Sequence, residues 1–279
     1  MRKSLLLLTF AFAFLSFSYK NLPAVNAGYV PEVKSVQRTV FLKTHGNVSM
    51  GLTRLNFEDS IRNLYNKIQL ASYGLDYTVF RLGMIGYYSL ENEGALSDKN
   101  IITIIDFSKP STEKRFYTVD LEQFKVKYHA YVAHGINTGD NMATVFSNRP
   151  NSNQSSMGFY VTGETYVGSK GYSLRLDGKD KAYNDKIRSR AVVIHEADYV
   201  SENWIQRYGR LGRSQGCPAL PKEISRDVID TIKDNTAIFA YYPDTNYLTS
   251  SQYLKVENLM NSLEEKTLRL VGRNTKAQS

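Results

Sequence analysis

The chain has 279 residues, 42% hydrophobic and 22% charged, with one cysteine and a formal net charge of +8. Such a composition buries a proper core without disulfides, which excludes a disulfide-stapled scaffold. The positive excess is modest and scattered; it suits an anionic polymer such as a cell wall, and without a dense Lys/Arg stripe it gives no case for a nucleic-acid partner.

Arg2 and Lys3 precede an apolar run from Leu5 to Leu15, and Val25-Asn26-Ala27 supplies the small residues of a cleavage site. Residues 1–27 therefore read as a secretory signal, with the mature chain beginning near Gly28. The run falls short of the roughly 20 residues that span a bilayer, so no stable membrane insertion is expected once the signal is cleaved. The expected destination is export to the periplasm or cell wall. Cysteines there normally work in pairs, so the unpaired Cys217 is a liability unless its reactivity is wanted.

Residues 28–97 read as an N-terminal helical accessory region. From Asn56 as a candidate N-cap, Phe57, Ile61, Leu64, Tyr65 and Ile68 recur at helical spacing. A second run from Asp76 repeats the pattern with Tyr77, Phe80, Met84 and Tyr87, making a helical hairpin that breaks near Tyr73-Gly74. Gly83 and Gly86 weaken its second helix, so the hairpin is expected to lean on the region C-terminal to it.

Residues 98–246 form the main body. Strands are predicted over 101–107, 115–121 and 124–133, the last with Phe124, Val126, Tyr128, Ala130 and Val132 on one face. Further strands are predicted over 158–162, 172–176, 191–194 and 237–242, with an inserted helix over 222–233. The expected fold is mostly β (α+β), a sandwich or open barrel with one inserted helix, preceded by the hairpin. SNRPNSNQSS (147–156) is a polar loop, and 251–270, within a 247–279 tail, an amphipathic helix.

Cys217 lies in GRLGRSQGCPAL (209–220). A thiol near its ordinary pKa of about 8.5 needs a base or positive surroundings to attack. Of the four histidines, His195 ends the apolar stretch AVVIH, which sets its ring at the tip of a rigid element and makes it the best candidate. His134 ends another strand and reads as structural, His129 falls on a polar face, and His45 lies in a loop. Gly212 and Gly216 permit tight turns. Pro218 lacks an N–H, so an oxyanion hole must use the amides of Gly216 and Cys217, helped by the Gln215 side chain. Arg210 and Arg213 add positive charge for a thiolate or a substrate carboxylate. No metal-ligand spacing is present, and no cofactor is expected.

The strand-end His195 followed by Ser-x-Gly-Cys at Ser214 to Cys217 resembles the catalytic signature of the L,D-transpeptidase (YkuD-type) family. The segments VAHGINTG, SSMGFYVTGETY, GYSLRLDG, HEADYV and GRSQGCPAL are similar to its murein L,D-transpeptidase subgroup over residues 100–243. The resemblance implies Cys217 as nucleophile, His195 as general base, Gly216 with Cys217 as oxyanion amides, and the Ser214 backbone carbonyl orienting the imidazole. Arg213, Gln215, Arg210, Gly158 and Tyr160 would line the substrate site. Gln215 stands where the family has histidine, Pro218 where an aliphatic residue then arginine is usual, and Glu196 where glycine is common. The implied reaction forms a thioester on the L-centre of a peptidoglycan stem peptide and releases the terminal D-residue. An amine then yields a 3-3 cross-link, or water makes the protein an L,D-carboxypeptidase. Carbapenem-type inhibitors are the expected acylating agents. The rival from another class is an inactive wall-binding β domain, separable by thiol reactivity.

Overall fold

The computed structural model describes residues 40–44, 48–52 and 54–276; the expected signal at 1–27 lies outside them. Among the described residues no helix is long and apolar enough to cross a membrane. Strands β1 (Val40–Thr44) and β2 (Val48–Leu52) pair antiparallel ahead of α1 (Arg54–Ile68) and α2 (Tyr77–Asn92). The hairpin breaks at a single 3-10 turn, Leu70–Tyr73, closed by Gly74 at φ 74°, and the Asp76 side chain caps α2 through the Thr78 N–H. Helix α1 begins at Arg54, so Asn56 is no N-cap: it lies inside the first turn, where its carbonyl accepts from Ser60 Oγ.

After the hairpin come β3 (Ile101–Asp106), β4 (Phe116–Asp120), β5 (Lys125–Ala130), β6 (Gly158–Gly168), β7 (Gly171–Gly178) and β8 (Val193–Glu196). Helix α3 (Glu202–Tyr208), β9 (Ala219–Leu220), α4 (Lys222–Ile232), β10 (Ala237–Tyr241), α5 (Thr245–Ser250) and α6 (Val256–Lys276) complete the order. Eight strands form one sheet in the order β5-β4-β3-β10-β6-β7-β8-β9, parallel at β3/β10 and β8/β9 and antiparallel elsewhere. Just past β5, Ala133 bridges Ala219 of β9, so the sheet curls into a nearly closed barrel. The fold is mostly β, with α3 and α4 inserted ahead of β9 and β10; α4 is the inserted helix that its period predicts.

Alternation along the strands divides the apolar residues between two cores. Ile102, Ile104, Phe159 and Phe239 face α1 and α2, meeting Phe57, Ile61, Phe80 and Met84. Ile105, Phe116, Ile194 and Ile238 face the other way, where α4 adds Val228, Ile229 and Ile232. The hairpin shares its core with the sheet. Gly86 is why α2 can come so close: a methyl group there would fall inside the Phe159 ring, itself stacked on Phe239 at 4.4 Å.

Three local expectations are corrected. The β4/β5 register shifts between Thr118, opposite Tyr128, and Val119, opposite Val126, leaving Lys127 as a bulge. Val126 therefore packs toward the hairpin and Tyr128 toward α4, and they do not share a face. Phe124 is exposed, at φ 53°, with Lys67 Nζ 3.2 Å from its ring centroid. Strand β8 starts at Val193 because Ala191 takes φ 53°, outside strand geometry. Helix α3, capped by Ser201 and closed by Gly209 at φ 70°, is too short to show a helical period.

Substituting Gly86→Ala is expected to lower unfolding stability by about 1–3 kcal/mol, as overpacking does. A denaturant or thermal midpoint unchanged from the parent would show that α2 does not depend on this contact.

Candidate active site

Strand β9 runs beside β8 with His195 opposite Ala219. Cys217, two residues before Ala219, is thereby brought alongside Val193, whose N–H donates to the sulfur at 3.4 Å. The stretch just ahead of β9 that carries the sulfur thus runs alongside β8, the strand that carries the imidazole. His195 Nδ1 lies 2.7 Å from the carbonyl of Glu196. A carbonyl only accepts, so Nδ1 carries the proton and Nε2 keeps its lone pair, the tautomer a general base needs. The orienting carbonyl is that of Glu196, the residue next in chain, and not that of Ser214, which instead accepts from the Ile136 N–H at 2.8 Å.

Burial dominates both ionisations. It lowers the His195 pKa against the opposing Glu196 carbonyl bond, with Lys170 lowering it further. It raises the Cys217 thiol, opposed by the Val193 amide and by the charges of Arg190 and Lys170. At neutral pH the two resting groups are therefore a thiol and a neutral imidazole.

The turn holding Cys217 is closed by Ser214. Its hydroxyl donates to the Cys217 carbonyl at 2.6 Å and accepts from the Gly216 N–H at 3.0 Å. The Gly216 amide is thus committed and is not available to an oxyanion, contrary to expectation. Among the described residues no hydrogen bond takes up the Cys217 N–H. Gly216 sits at φ 116°, and a Cβ there would lie 2.8 Å from the Gln154 carbonyl. Ser155 Oγ donates to the Gly216 carbonyl at 3.1 Å and accepts from the Gly135 N–H at 3.0 Å, joining three loops.

Arg190 carries no sequence signal and is the main addition to the site. Its guanidinium donates to the Ser147 and Gln154 carbonyls, both at 2.7 Å, and to Ser156 Oγ and Ser152 Oγ at 2.6 and 3.1 Å. It organises the polar loop 147–156, and its Nη2 lies 3.6 Å from where a Cβ on Gly216 would stand.

The expected substrate contacts divide. Gln215 is exposed beside the sulfur's turn. Arg210 and Arg213 both reach Asp140 Oδ1, at 2.7 and 3.2 Å, so a substrate carboxylate would compete with a resident one. Gly158 and Tyr160 are buried: the Tyr160 hydroxyl donates to the Ser156 carbonyl at 2.6 Å, and a Cβ on Gly158 would press on Asn184 and Asp180, both at 2.7 Å. His134 is buried, with Arg115 Nη2 donating to its Nδ1 at 2.7 Å; burial and that neighbouring charge lower its pKa to about 4. Between His195 and Cys217, Tyr199, Trp204 and Tyr208 pack in series, and the Tyr199 ring lies over Gly212. Among the described residues no group of three or more His, Cys, Asp or Glu is placed to hold a metal.

A family model described as the L,D-transpeptidase catalytic domain matches residues 71–241. No curated protein matches the sequence. Among solved structures, an L,D-transpeptidase from Mycobacterium smegmatis is similar at 11% identity and a TM-score of 0.33, covering 51% of this chain and 59% of that one. L,D-transpeptidase 3 from Mycobacterium tuberculosis, in complex with a faropenem-derived adduct, is similar at 13% identity and a TM-score of 0.32, over 51% and 60%. The helical cell shape determining protein Pgp2 from Campylobacter jejuni (K307A mutant) is similar at 13% identity and a TM-score of 0.37, over 70% and 67%. The chain thus spans less than two thirds of the length of the Mycobacterium smegmatis protein.

Gly216→Ala is expected to cost about 1–3 kcal/mol, because a side chain at that φ is strained and meets a carbonyl. A thermal midpoint and a Cys217 alkylation rate both equal to the parent's would show that the turn adapts.

Proposed function

The chain belongs to the L,D-transpeptidase catalytic-domain family, and from that premise we propose that it is an exported peptidoglycan L,D-transpeptidase working through a thioester on Cys217. The observation that carries this reading is the imidazole tautomer: His195, fixed through Nδ1 on the Glu196 carbonyl, offers Nε2 on the strand next to the sulfur.

In the proposed cycle Nε2 of His195 takes the thiol proton as Sγ attacks the carbonyl of the L-centre in a stem peptide. The tetrahedral oxyanion is received by the Cys217 N–H, with the Gln215 side chain as the second donor. When the intermediate collapses, the C–N bond breaks, the terminal D-residue leaves as an amine with the proton from His195, and a thioester remains. An amine from a second stem then attacks, giving up its proton to His195, and a 3-3 cross-link forms; water in its place gives carboxypeptidase action. Ser214 and Gly216 shape the turn. Arg213 and Arg210 admit a substrate carboxylate by exchanging it for Asp140, while Gly158 and Tyr160 back the loop from inside. Residues 98–246 act as the catalytic body, with 28–97 as accessory and 247–279 as tail. Cleavage of residues 1–27 delivers the protein to the periplasm or cell wall.

Incubation of the full mature chain with a carbapenem is expected to add one inhibitor mass on Cys217, with no adduct on Cys217→Ala. His195→Ala should slow that acylation by about 10²–10⁴-fold, the usual contribution of a general base. An unreacted thiol in the folded parent would favour an inactive wall-binding domain, and product analysis on muropeptides with and without an amine acceptor separates transpeptidase from carboxypeptidase.

The two pKa shifts set the pH profile. Because burial lowers the His195 pKa, the base stays unprotonated further into acid, and the acid limb of acylation should lie below the ordinary imidazole midpoint of about 6.5. Because burial raises the Cys217 thiol, alkylation of the free protein should rise with pH to a midpoint above the free-thiol value of about 8.5. Arg190→Gln, removing a charge that favours the thiolate, should move that alkylation midpoint higher still, and Arg190→Lys should restore part of it.

A further inference from the structure

We infer that the groove between loops 145–149 and 181–186 binds a carboxylate-bearing segment of the same wall polymer whose stem peptide reaches Cys217; this rests on the function proposed above. The groove has a volume of about 710 Å³ and is open to solvent. Its two loops are fastened together at Asn148, whose Nδ2 donates to Asp185 Oδ1 at 2.7 Å and whose Oδ1 accepts from the Lys186 N–H at 3.1 Å. The walls are therefore built before any ligand arrives.

The groove is lined by three cations against two acids. Its two acids are held in place by main-chain amides: Asp185 accepts from the Ala182 N–H at 2.8 Å, with Lys186 nearby favouring its charged form, and Asp244 caps α5 through the Tyr247 N–H at 2.7 Å. Its three cations, Arg149, Lys181 and Lys186, are exposed and have no carboxylate within ion-pair distance among the described residues. An anionic ligand therefore meets a groove with a net positive excess whose cations are exposed, although Lys186 already interacts with Asp185.

Position ties the groove to the chemistry. Gln154 lines it, and the Gln154 carbonyl accepts from Arg190 Nη2 at 2.7 Å and lies 2.8 Å from where a Cβ on Gly216, the residue before Cys217, would stand. One stretch of chain thus both lines the groove and abuts the turn that carries the proposed nucleophile. A stem peptide, which carries free carboxylates along its length, matches that layout, with part of the polymer over Cys217 and another part among the cations.

Binding can be measured apart from turnover by titrating full-length Cys217→Ala with a disaccharide-tetrapeptide bearing free carboxylates, and with the same fragment amidated. In the Cys217→Ala background, Arg149→Gln/Lys181→Gln/Lys186→Gln is expected to bind the free-carboxylate fragment about tenfold more weakly, as loss of exposed charge pairs implies, and to lose most of its salt dependence. The amidated fragment should bind the two chains alike. Equal affinity of both chains for the free-carboxylate fragment, or no binding by either, overturns the inference. With Cys217 intact, the triple substitution should leave carbapenem acylation unchanged. Absent acylation of the parent refutes the proposed function, while the binding arms still decide the groove.

Discussion

Between β8 and β9 the register consists of two steps, His195 against Ala219 and Glu196 against Leu220, and the geometry of the site depends on that short parallel pairing. Few hydrogen bonds are involved, each worth about 1 kcal/mol net, so pairing alone would not hold a strand of this length. Burial does. Ala219 packs with Ala133, Val200 and Leu211, and Leu220 enters the core beneath α4. On its other side β9 receives the Ala133 N–H at 2.9 Å, so the strand that brings Cys217 alongside β8 also closes the barrel.

Around that pairing the protein has spent polar contacts on shape. Ser155, Ser214 and Arg190 lock the turn, the 135–138 loop and the 147–156 loop into one body. Burial holds the thiol and the imidazole neutral, and Arg190 offsets part of the thiol's rise. A buried neutral thiol is slow to oxidise, whereas one that shares its proton with a base during attack needs no standing thiolate. In the cycle proposed above, such an arrangement would keep the sulfur quiet until a carbonyl is present.

Much of this was legible from residue order. Period-two alternation marks β3 and β4, the 3.6-residue period marks α1, α2 and α4, and a histidine at the end of an apolar strand with a lone cysteine in a Gly-Pro turn marks where to look. The rest is decided by atoms that alternation does not encode. The Lys127 bulge swaps the faces of β5 without altering its pattern of residue types. The Glu196 carbonyl and the Gly216 amide belong to the backbone, and any residue brings them. Arg190 is one of many arginines until the fold sets it beside Gly216. Arg210 and Arg213 read correctly as charge near the turn, but Asp140, far away in sequence, claims them.

The main-chain anchor of His195 bears on inheritance. Since the acceptor is a peptide oxygen, the side chain at 196 is released from any part in aiming the ring, and the chain can hold glutamate there at no cost to the imidazole's orientation. A substitution at 196 would therefore leave the ring's anchor and tautomer in place, and the Glu196 carboxylate is free to serve elsewhere, as in its approach to Gly171 at the β6/β7 turn.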